Sequence, residues 1–195
     1  GEPTLHPRFP ELYLELKRLG LLMTVFTNAG MLRYEHIRLF QTYPPRDLEI
    51  TVYGADAETH ERVTRRKNSY RLFLNGLQRL DDAGISYRLK AMVLQSNYHQ
   101  LPELFAWCRK HTKDHFRYDH KLNLRFDGNA ERNAMIRAER LTGEQLVELE
   151  MNDDEQRQTL RQSCEKYTIQ QQPGAAPKPV FGCNLSRGQF VVNAN

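Results

Sequence analysis

The feature that most constrains the fold is the hydrophobic pattern of residues 47–93, which changes period twice. At its start, Leu48, Ile50 and Val52 alternate with polar or amphipathic residues. A period of two is typical of a β-strand, because successive side chains of a strand point to opposite faces of the sheet. The pattern therefore predicts a strand at the beginning of this stretch.

The rest of the stretch predicts a loop, a helix and a second strand. Residues 55–64 have the composition of a loop, and Ser69 can cap a helix whose apolar residues recur at helical spacing. Gly84 stands where that helix should end, and residues 87–94 then form a second β-prone run. A strand, a covering helix and another strand predict a parallel pair joined by a right-handed crossover.

Further units of the same kind fill the chain up to Gly128. The predicted helices are 11–18, 33–42 and one that Asn97 can cap, and the other predicted strands are 22–27 and 116–126. Strands that alternate with helices indicate an α/β protein with a parallel sheet. We therefore assign the chain to the α/β class.

The pattern changes after Gly128, where charged and weakly periodic residues predominate. Thr142 and Gln145 have the spacing of a capping box, which predicts a helix start, and residues 153–169 predict another polar helix. Residues 170–179 are rich in Gln, Pro and Ala and read as a linker. A small β-like segment then begins around Cys183.

Composition excludes several classes of protein. The chain has 195 residues, a net charge of +4 and three widely spaced cysteines. The charge is too mixed to indicate nucleic acid as a partner, and no apolar run is long enough to cross a membrane. Three dispersed cysteines do not make a disulfide framework, so we expect a reducing, cytoplasmic environment.

Parallel α/β sheets and barrels bind ligands at the carboxyl ends of their strands. In this chain those ends are polar, with carboxylates, amides, hydroxyls and cations that suit a small zwitterionic or polyhydroxyl ligand better than an apolar one. The residues that the rule selects are 1–4, 27–28, 51–56, 90–95 and 125–127.

Several short motifs on these elements resemble those of radical S-adenosylmethionine (SAM) enzymes with a SPASM-type extension. They are Gly-Glu-Pro at residue 1, Thr-Asn-Ala-Gly at 27, Ile-Thr-Val-Tyr-Gly at 50 with Ala-Asp-Ala-Glu-Thr-His after it, Asn-Gly-Leu at 75 continuing to Ala-Gly-Ile at 83, the strand 87–93, and Leu-Arg-Phe-Asp-Gly at 124. Each motif is short, but together they occur in the order of that family and extend over about the whole chain.

The resemblance implies a partial TIM barrel of β/α units and a defined chemistry. In this family a CxxxCxxC loop holds a 4Fe-4S cluster, whose open iron binds SAM. An electron donor reduces the cluster, and SAM then yields a 5′-deoxyadenosyl radical that abstracts hydrogen from substrate. The 195 residues contain no CxxxCxxC motif, and we expect it upstream of Gly1.

The resemblance also implies which residues contact SAM. Glu2 and the backbone of Gly1 match the motif that receives the SAM ammonium group, for which a carboxylate and carbonyl groups are suitable acceptors. Thr51 matches a hydroxyl residue that bonds SAM. Further candidates at strand ends are Lys90 near the SAM carboxylate or ribose, Arg125 near SAM or substrate, and Asn28 facing the same opening.

The C-terminal segment resembles the beginning of a SPASM extension. Cys183 and the run that follows it, residues 184–195, fit its opening, so the resemblance implies Cys183 as a ligand of an auxiliary 4Fe-4S cluster. Enzymes of this group modify peptides, proteins or enzyme precursors. The expected organisation is a partial barrel in 1–128, a helical connection and linker in 129–179, and the truncated extension in 180–195.

Other candidate groups have simpler interpretations. Cys108 lies on an apolar stripe and reads as a core residue. The basic run of Arg62, Arg65, Arg66 and Lys67 could hold phosphates or an acidic peptide, but a solvated loop flank is the favoured interpretation.

Two rival functions remain open from the residues alone. One is a cluster-less α/β module that binds a peptide without catalysis. The other is an unrelated TIM-type enzyme that uses Glu2 and Lys90 for acid–base chemistry without iron or SAM.

Overall fold

The computed structural model describes residues 1–152 and 154–167. These residues fall into two compact units, one that contains residues 1–140 and one that begins at Leu141. The strands and six of the described α-helices belong to the first unit. None of the helices in the described ranges is long and apolar enough to span a bilayer.

Four parallel strands form one sheet in the first unit. They are β1 (Thr24–Thr27), β2 (Asp47–Val52), β3 (Arg88–Met92) and β4 (Arg117–Asp119), and they lie side by side in chain order. In register, Phe26 pairs with Glu49, and Thr51 pairs with Lys90, which in turn pairs with Arg117. The predicted parallel α/β architecture is confirmed.

Helices connect the strands. Those of the first unit are α1 (Phe9–Arg18), α2 (Tyr34–Thr42), α3 (Ala57–Thr64), α4 (Ser69–Asp82), α5 (Leu101–His111) and α6 (Ala130–Ala138). Of these, α1, α2, α4 and α5 occur where the hydrophobic periods predict helices. Short 3-10 helices occupy Pro3–Leu5 and Gln95–Gln100. The second unit contains α7 (Gly143–Asn152) and α8 (Asp154–Tyr167).

The core lies on one face of the sheet. Apolar side chains of alternate strand residues are buried there with the inward stripes of the helices; they include Val25, Leu48, Ile50, Leu89, Phe40, Phe73, Leu80 and Leu104. Cys108 is fully buried in the same core, as its apolar stripe predicts. The remaining strand positions form a second, polar face that carries Glu49, Thr51, Arg88 and Lys90.

The prediction of a loop over residues 55–64 is wrong, because Ala57–Thr64 forms helix α3. Asp56 caps this helix by accepting a hydrogen bond of 2.8 Å from the backbone N–H of Thr59. Ser69 is also not a cap: it is the first residue of α4, and the cap position is held by Asn68 in a left-handed conformation. Gly84, at φ +64°, follows the end of α4 as predicted.

Two other boundaries differ from the prediction. Asn97 does not cap α5; its buried side chain accepts from the N–H of Leu94 and donates to the carbonyls of Tyr53 and Met92. The strand predicted over 116–126 is only Arg117–Asp119. Its alternation continues further, but the Asp119 carboxylate accepts from the N–H of Lys121 at 2.9 Å, as in a turn.

The second unit begins as its capping box predicts. The backbone N–H of Thr142 donates to Gln145 at 2.9 Å, and the N–H of Gln145 donates to the Thr142 hydroxyl at 3.2 Å. These reciprocal bonds satisfy donors that a helix start leaves open. The predicted linker and the segment around Cys183 lie outside the described residues.

Candidate functional site

The Glu2 carboxylate is fixed at the carboxyl end of β1. It accepts hydrogen bonds from the Thr27 hydroxyl at 2.7 Å and from the backbone N–H of Asn28 at 2.8 Å. Within its own segment it accepts from the Thr4 hydroxyl at 2.7 Å and caps the 3-10 helix Pro3–Leu5. Because Glu2 remains partly exposed, the site presents an oriented carboxylate to a ligand, with Gly1 exposed beside it.

The loop after β1 is held rigidly in place. Its second residue, Ala29, has a φ of +57°, a conformation that costs energy for a residue with a side chain. The two side chains that precede it bond to the backbone of the loop: Thr27 accepts from the Ala29 N–H at 3.1 Å and Asn28 accepts from the Gly30 N–H at 3.0 Å. Asn28 therefore lies beside Glu2, and both belong to one hydrogen-bonded edge.

Just after the end of β2, a half-buried aromatic side chain, Tyr53, lies next to this edge. Burial, and then the charge of Glu2, raise the pKa of Tyr53. His60 of α3 lies edge-on to Tyr53 and stacks on Phe73 at 5.2 Å between ring centroids. Gly54 permits this packing, because a Cβ there would lie 2.5 Å from the backbone nitrogen of His60.

We expect acidification to destabilise the protein through His60. Burial lowers the pKa of His60 from 6.5 to about 4, and its Nδ1 has no hydrogen-bond partner among the described residues. Between these two pKa values His60 is protonated in the unfolded chain but neutral in the folded chain. The free energy of unfolding should therefore fall as the pH decreases from 6.5 to about 4. Denaturant titrations across that range should show an uptake that approaches about one proton per molecule on unfolding.

Replacing the His60 imidazole with a ring that cannot titrate isolates its contribution to the pH dependence of stability. His60→Phe keeps the aromatic packing and should flatten the pH dependence, whereas the same change at exposed His115 should leave it intact. An unaltered slope in His60→Phe would show that other groups cause the pH dependence.

Thr51 and Lys90 lie next to each other on the polar face of the sheet, as their pairing in register requires. The Lys90 ammonium is 3.5 Å from the Glu49 carboxylate and 5.7 Å from the centroid of the Phe26 ring. Lys90 is therefore half-buried and has partners, which removes the cost of an unpaired ammonium. The candidate site thus takes in Glu2 and Asn28 at the end of β1, and Thr51 and Lys90 on β2 and β3.

Arg125 does not end a strand, contrary to its predicted position. β4 ends at Asp119, and Arg125 lies in the following segment, where its guanidinium makes a bidentate pair with Asp127. That hydrogen-bonded pair lowers the pKa of Asp127 to about 2. The backbone N–H of Arg125 donates to Asn133 of α6 at 2.8 Å, so the described contacts of Arg125 are with this segment and α6.

The polar face also carries a charged cluster that none of the sequence motifs indicates. Glu49 is fully buried and accepts from Arg88 at 3.0 Å and from Arg117 at 2.8 Å. Burial opposes its ionisation, but Arg117, Lys90 and Arg88 outweigh this effect and hold the pKa of Glu49 below its usual value. The alternation of β2 and β3 placed Glu49 and Arg88 on one face and could have indicated the pair.

The described cysteines do not fit an iron–sulfur cluster. Cys108 is buried in the core, where desolvation raises the pKa of its thiol to about 12, and Cys164 is exposed on α8. In residues 1–152 and 154–167, no three His, Cys, Asp or Glu side chains are grouped as a metal site. Cys183, the predicted cluster ligand, lies outside those ranges.

A cavity of about 460 Å³ opens at the other end of the strands, at the amino-terminal ends of β2 and β3. It is lined in part by Arg46, Asp47 and Asp114. Ligands of parallel α/β sheets bind at the carboxyl ends, so the edge around Glu2 remains the better candidate.

Comparisons with known proteins identify relatives of this chain. The family model described as "Radical SAM superfamily" matches residues 1–108. The AdoMet-dependent heme synthase of Nitratidesulfovibrio vulgaris is 23% identical over 110 residues, which cover 56% of this chain and 30% of that enzyme. The probable GTP 3′,8-cyclase of Pyrobaculum aerophilum is 28% identical over 96 residues, or 49% of this chain and 31% of that protein.

Solved structures support the fold assignment. Streptococcus suis SuiB bound to its precursor peptide SuiA matches with a TM-score of 0.51 and 18% identity, over 60% of this chain and 26% of SuiB. SuiB bound to S-adenosylmethionine matches with the same TM-score. The chain spans about a third of the length of the curated relatives, and the shared fold agrees with a partial barrel.

Proposed function

This chain belongs to the radical SAM superfamily, and we propose that the protein cleaves S-adenosylmethionine reductively to a 5′-deoxyadenosyl radical. The radical then abstracts a hydrogen atom from a substrate, which we propose to be a peptide or protein that is being modified. An external electron donor supplies the electron for this reaction. The family match and the SAM-bound neighbour support the SAM chemistry, and the observation on this chain that carries the proposal is the fixed Glu2 carboxylate.

Glu2 suits the ammonium group of SAM for two reasons. A carboxylate is an acceptor for an ammonium group, and charge-assisted hydrogen bonds are stronger than neutral ones. The bonds from Thr27 and Asn28 fix the position of Glu2 before SAM binds, so less conformational entropy is lost on binding. The exposed Gly1 backbone offers its carbonyl beside this carboxylate.

The other predicted SAM contacts have unequal support. Thr51 and Lys90 are adjacent on β2 and β3, which suits the SAM carboxylate or ribose, and Asn28 shares the Glu2 edge. Arg125 has weaker support, because its guanidinium is bound to Asp127. We retain it as a candidate contact to SAM or substrate.

The clusters of the proposal are assigned outside the described residues. We propose that the catalytic 4Fe-4S cluster has its ligands outside this chain and that Cys183 is a ligand of an auxiliary cluster in a SPASM-type extension. The resemblance of Cys183 and the residues after it to the opening of such an extension supports the latter assignment.

A peptide substrate is supported by the neighbour SuiB, whose structure holds a precursor peptide. The polar surface at the strand ends also suits a ligand with many hydrogen-bonding groups. The names of the two curated relatives refer to heme and to GTP rather than to a peptide.

The proposal is tested with the product of the whole coding sequence, prepared anaerobically with reconstituted iron and sulfide. On reduction with dithionite in the presence of SAM it should release 5′-deoxyadenosine and methionine. Intact SAM would exclude the proposed reaction and favour a module that binds without catalysis.

Glu2→Gln tests the ammonium site separately. The amide keeps an acceptor for Thr27 but loses the charge, so the dissociation constant for SAM, measured by equilibrium dialysis, should rise about 10- to 100-fold. Glu11→Gln is the matched control, because Glu11 is exposed on α1 and pairs with Arg8. Equal affinities of Glu2→Gln and Glu11→Gln would contradict the assigned role of Glu2.

A further inference from the structure

The turn between α3 and α4 carries a dense group of exposed cations, which we name the basic ridge. Its members are Arg62, Arg65, Arg66, Lys67 and Arg71, and all five are exposed. Left-handed backbone at Arg65 (φ 55°) and Asn68 (φ 63°) shapes the turn that presents them. Residues 58–71 contain five cations but only two carboxylates, so the ridge has a local positive excess.

Most of this charge has no carboxylate partner in the described part of the chain. Among the described residues, Arg62 alone of the five forms an ion pair, with Glu58 at 3.7 Å. The recorded acceptors of Arg65 and Arg66 are the sulfur atoms of Met135 at 4.0 Å and Met31 at 3.8 Å. Thioether sulfur is a weak acceptor, and each guanidinium has five N–H donors, so most of their hydrogen-bonding capacity faces solvent.

The basic ridge lies at the ligand-binding end of the sheet. Helix α3 follows the end of β2 after the short loop 53–56, and Arg62 donates to the carbonyl of Ser96, in the segment after β3, at 3.1 Å. The contact of Arg66 with Met31 reaches the loop that follows β1. The ridge therefore borders the same strand ends that hold Glu2, Thr51 and Lys90.

We propose that the basic ridge binds an acidic segment of the substrate peptide, an inference that rests on the peptide-modifying function proposed above. Single phosphates are held by donors that converge in a concave nest. The ridge instead spreads over the last turn of one helix, a turn and the first turn of the next. Such an array suits an extended chain with several carboxylates, because each exposed pair contributes little and several must act together.

The positive charge of the basic ridge should also accelerate its encounter with an acidic peptide. A positive surface next to the site raises the association rate of an acidic chain, and salt screens this effect. Binding through the ridge should therefore weaken steeply as the ionic strength increases. The acidic segment would be held at the rim while another part of the peptide reaches the SAM site.

The test compares a ridge variant with a control of equal charge. The ridge variant is Arg65→Gln, Arg66→Gln and Lys67→Gln; the control is Arg38→Gln, Arg46→Gln and Lys110→Gln, at exposed positions outside the ridge. Fluorescence anisotropy on the full protein measures binding of a labelled Glu-Gly repeat peptide, a Gln-Gly repeat peptide and a single-stranded oligonucleotide. We expect the Glu-Gly peptide to bind the wild type best and the ridge variant about 10-fold more weakly.

Three outcomes would overturn the proposal: equal loss in the ridge and control variants, equal binding of the Glu and Gln peptides, or tighter ridge-dependent binding of the oligonucleotide. Formation of 5′-deoxyadenosine from SAM alone, measured on the same samples, tests the proposed SAM cleavage separately from peptide binding by the basic ridge. If the ridge variant keeps this activity but binds the acidic peptide like the wild type, the proposed role of the basic ridge is refuted and the proposed SAM chemistry is not. A wild type without the activity refutes the proposed function.

Discussion

Replacing Glu49 by glutamine is expected to lower the free energy of unfolding by about 3 kcal/mol, because it leaves buried cations without their counter-charge. Glu49 is fully buried, whereas the side chains of Arg88 and Lys90 are 19% and 14% exposed. Those two cations lie too deep to recover full hydration once the carboxylate charge is lost. Arg117 is 43% exposed and can turn to water, which keeps the cost at the lower end of the range for broken buried pairs.

Glu49 also joins three strands, so its loss acts on the whole sheet. It lies on β2, pairs in register with Arg88 of β3 and reaches Arg117 of β4. Since the pKa of Glu49 is lowered in the folded state, its contribution is present above its ordinary pKa and is lost as the pH falls through the folded value. Glu49→Gln should abolish that part of the acid sensitivity.

Urea titrations at neutral pH measure the effect. Glu15→Gln is the control, because Glu15 forms an exposed pair with Arg18 and should change the stability by less than about 0.5 kcal/mol. A double variant with Arg117→Met should lose less than the sum of the single changes, since the two groups interact. If Glu49→Gln unfolds like Glu15→Gln, the cluster makes no net contribution to stability.

The regular elements could be predicted wherever local pattern and tertiary packing agree. Strand β2, helix α4 and strand β3 follow from their periods, and the Thr142–Gln145 box marked a helix start that the structure confirms. Helix α3 was missed because it is short and mostly polar, although Asp56 followed by Thr59 contained a cap signal. The strand at 116–126 was overextended because alternation alone does not reveal where pairing with β3 ends.

In the candidate site, too, local sequence pattern predicted some residues, and others depend on tertiary pairing. The rule that ligands bind at strand ends selected Glu2, Asn28 and Thr51 from the sequence, and the structure places Glu2 and Asn28 in hydrogen-bond contact. The partners of Glu49 could not be predicted fully, because Arg117 reaches it only when the register of three strands is known. Arg125 was misplaced for the reason that β4 was overextended.

Replacing Gly76 by alanine should cost about 3 kcal/mol of folding free energy, the upper end of the range for overpacked sites. A Cβ at Gly76 would lie 2.1 Å from the carbonyl oxygen of Ala29. The obstructing atom belongs to the backbone of a loop whose conformation is fixed by side-chain bonds from Thr27 and Asn28. Rotation of a side chain cannot relieve the contact, so α4 or the loop must move.

Asn75→Ala is the matched control, since Asn75 precedes Gly76 in α4 and is exposed. Alanine improves helix propensity at either position, so only the contact with Ala29 distinguishes the two variants. Thermal unfolding should show a lower Tm for Gly76→Ala and an unchanged or higher Tm for Asn75→Ala. A Gly76→Ala protein as stable as Asn75→Ala would mean that the loop moves at little cost.

The same displacement should weaken SAM binding without any change to a proposed contact residue. The loop that Gly76 supports includes Asn28, whose backbone N–H positions the Glu2 carboxylate at 2.8 Å. If α4 pushes this loop, the oriented carboxylate loses the bond that fixes it. The folded fraction of Gly76→Ala should therefore bind SAM more weakly than Asn75→Ala, in the direction of Glu2→Gln. Unchanged affinity in the folded Gly76→Ala protein would separate the packing of α4 from the proposed site.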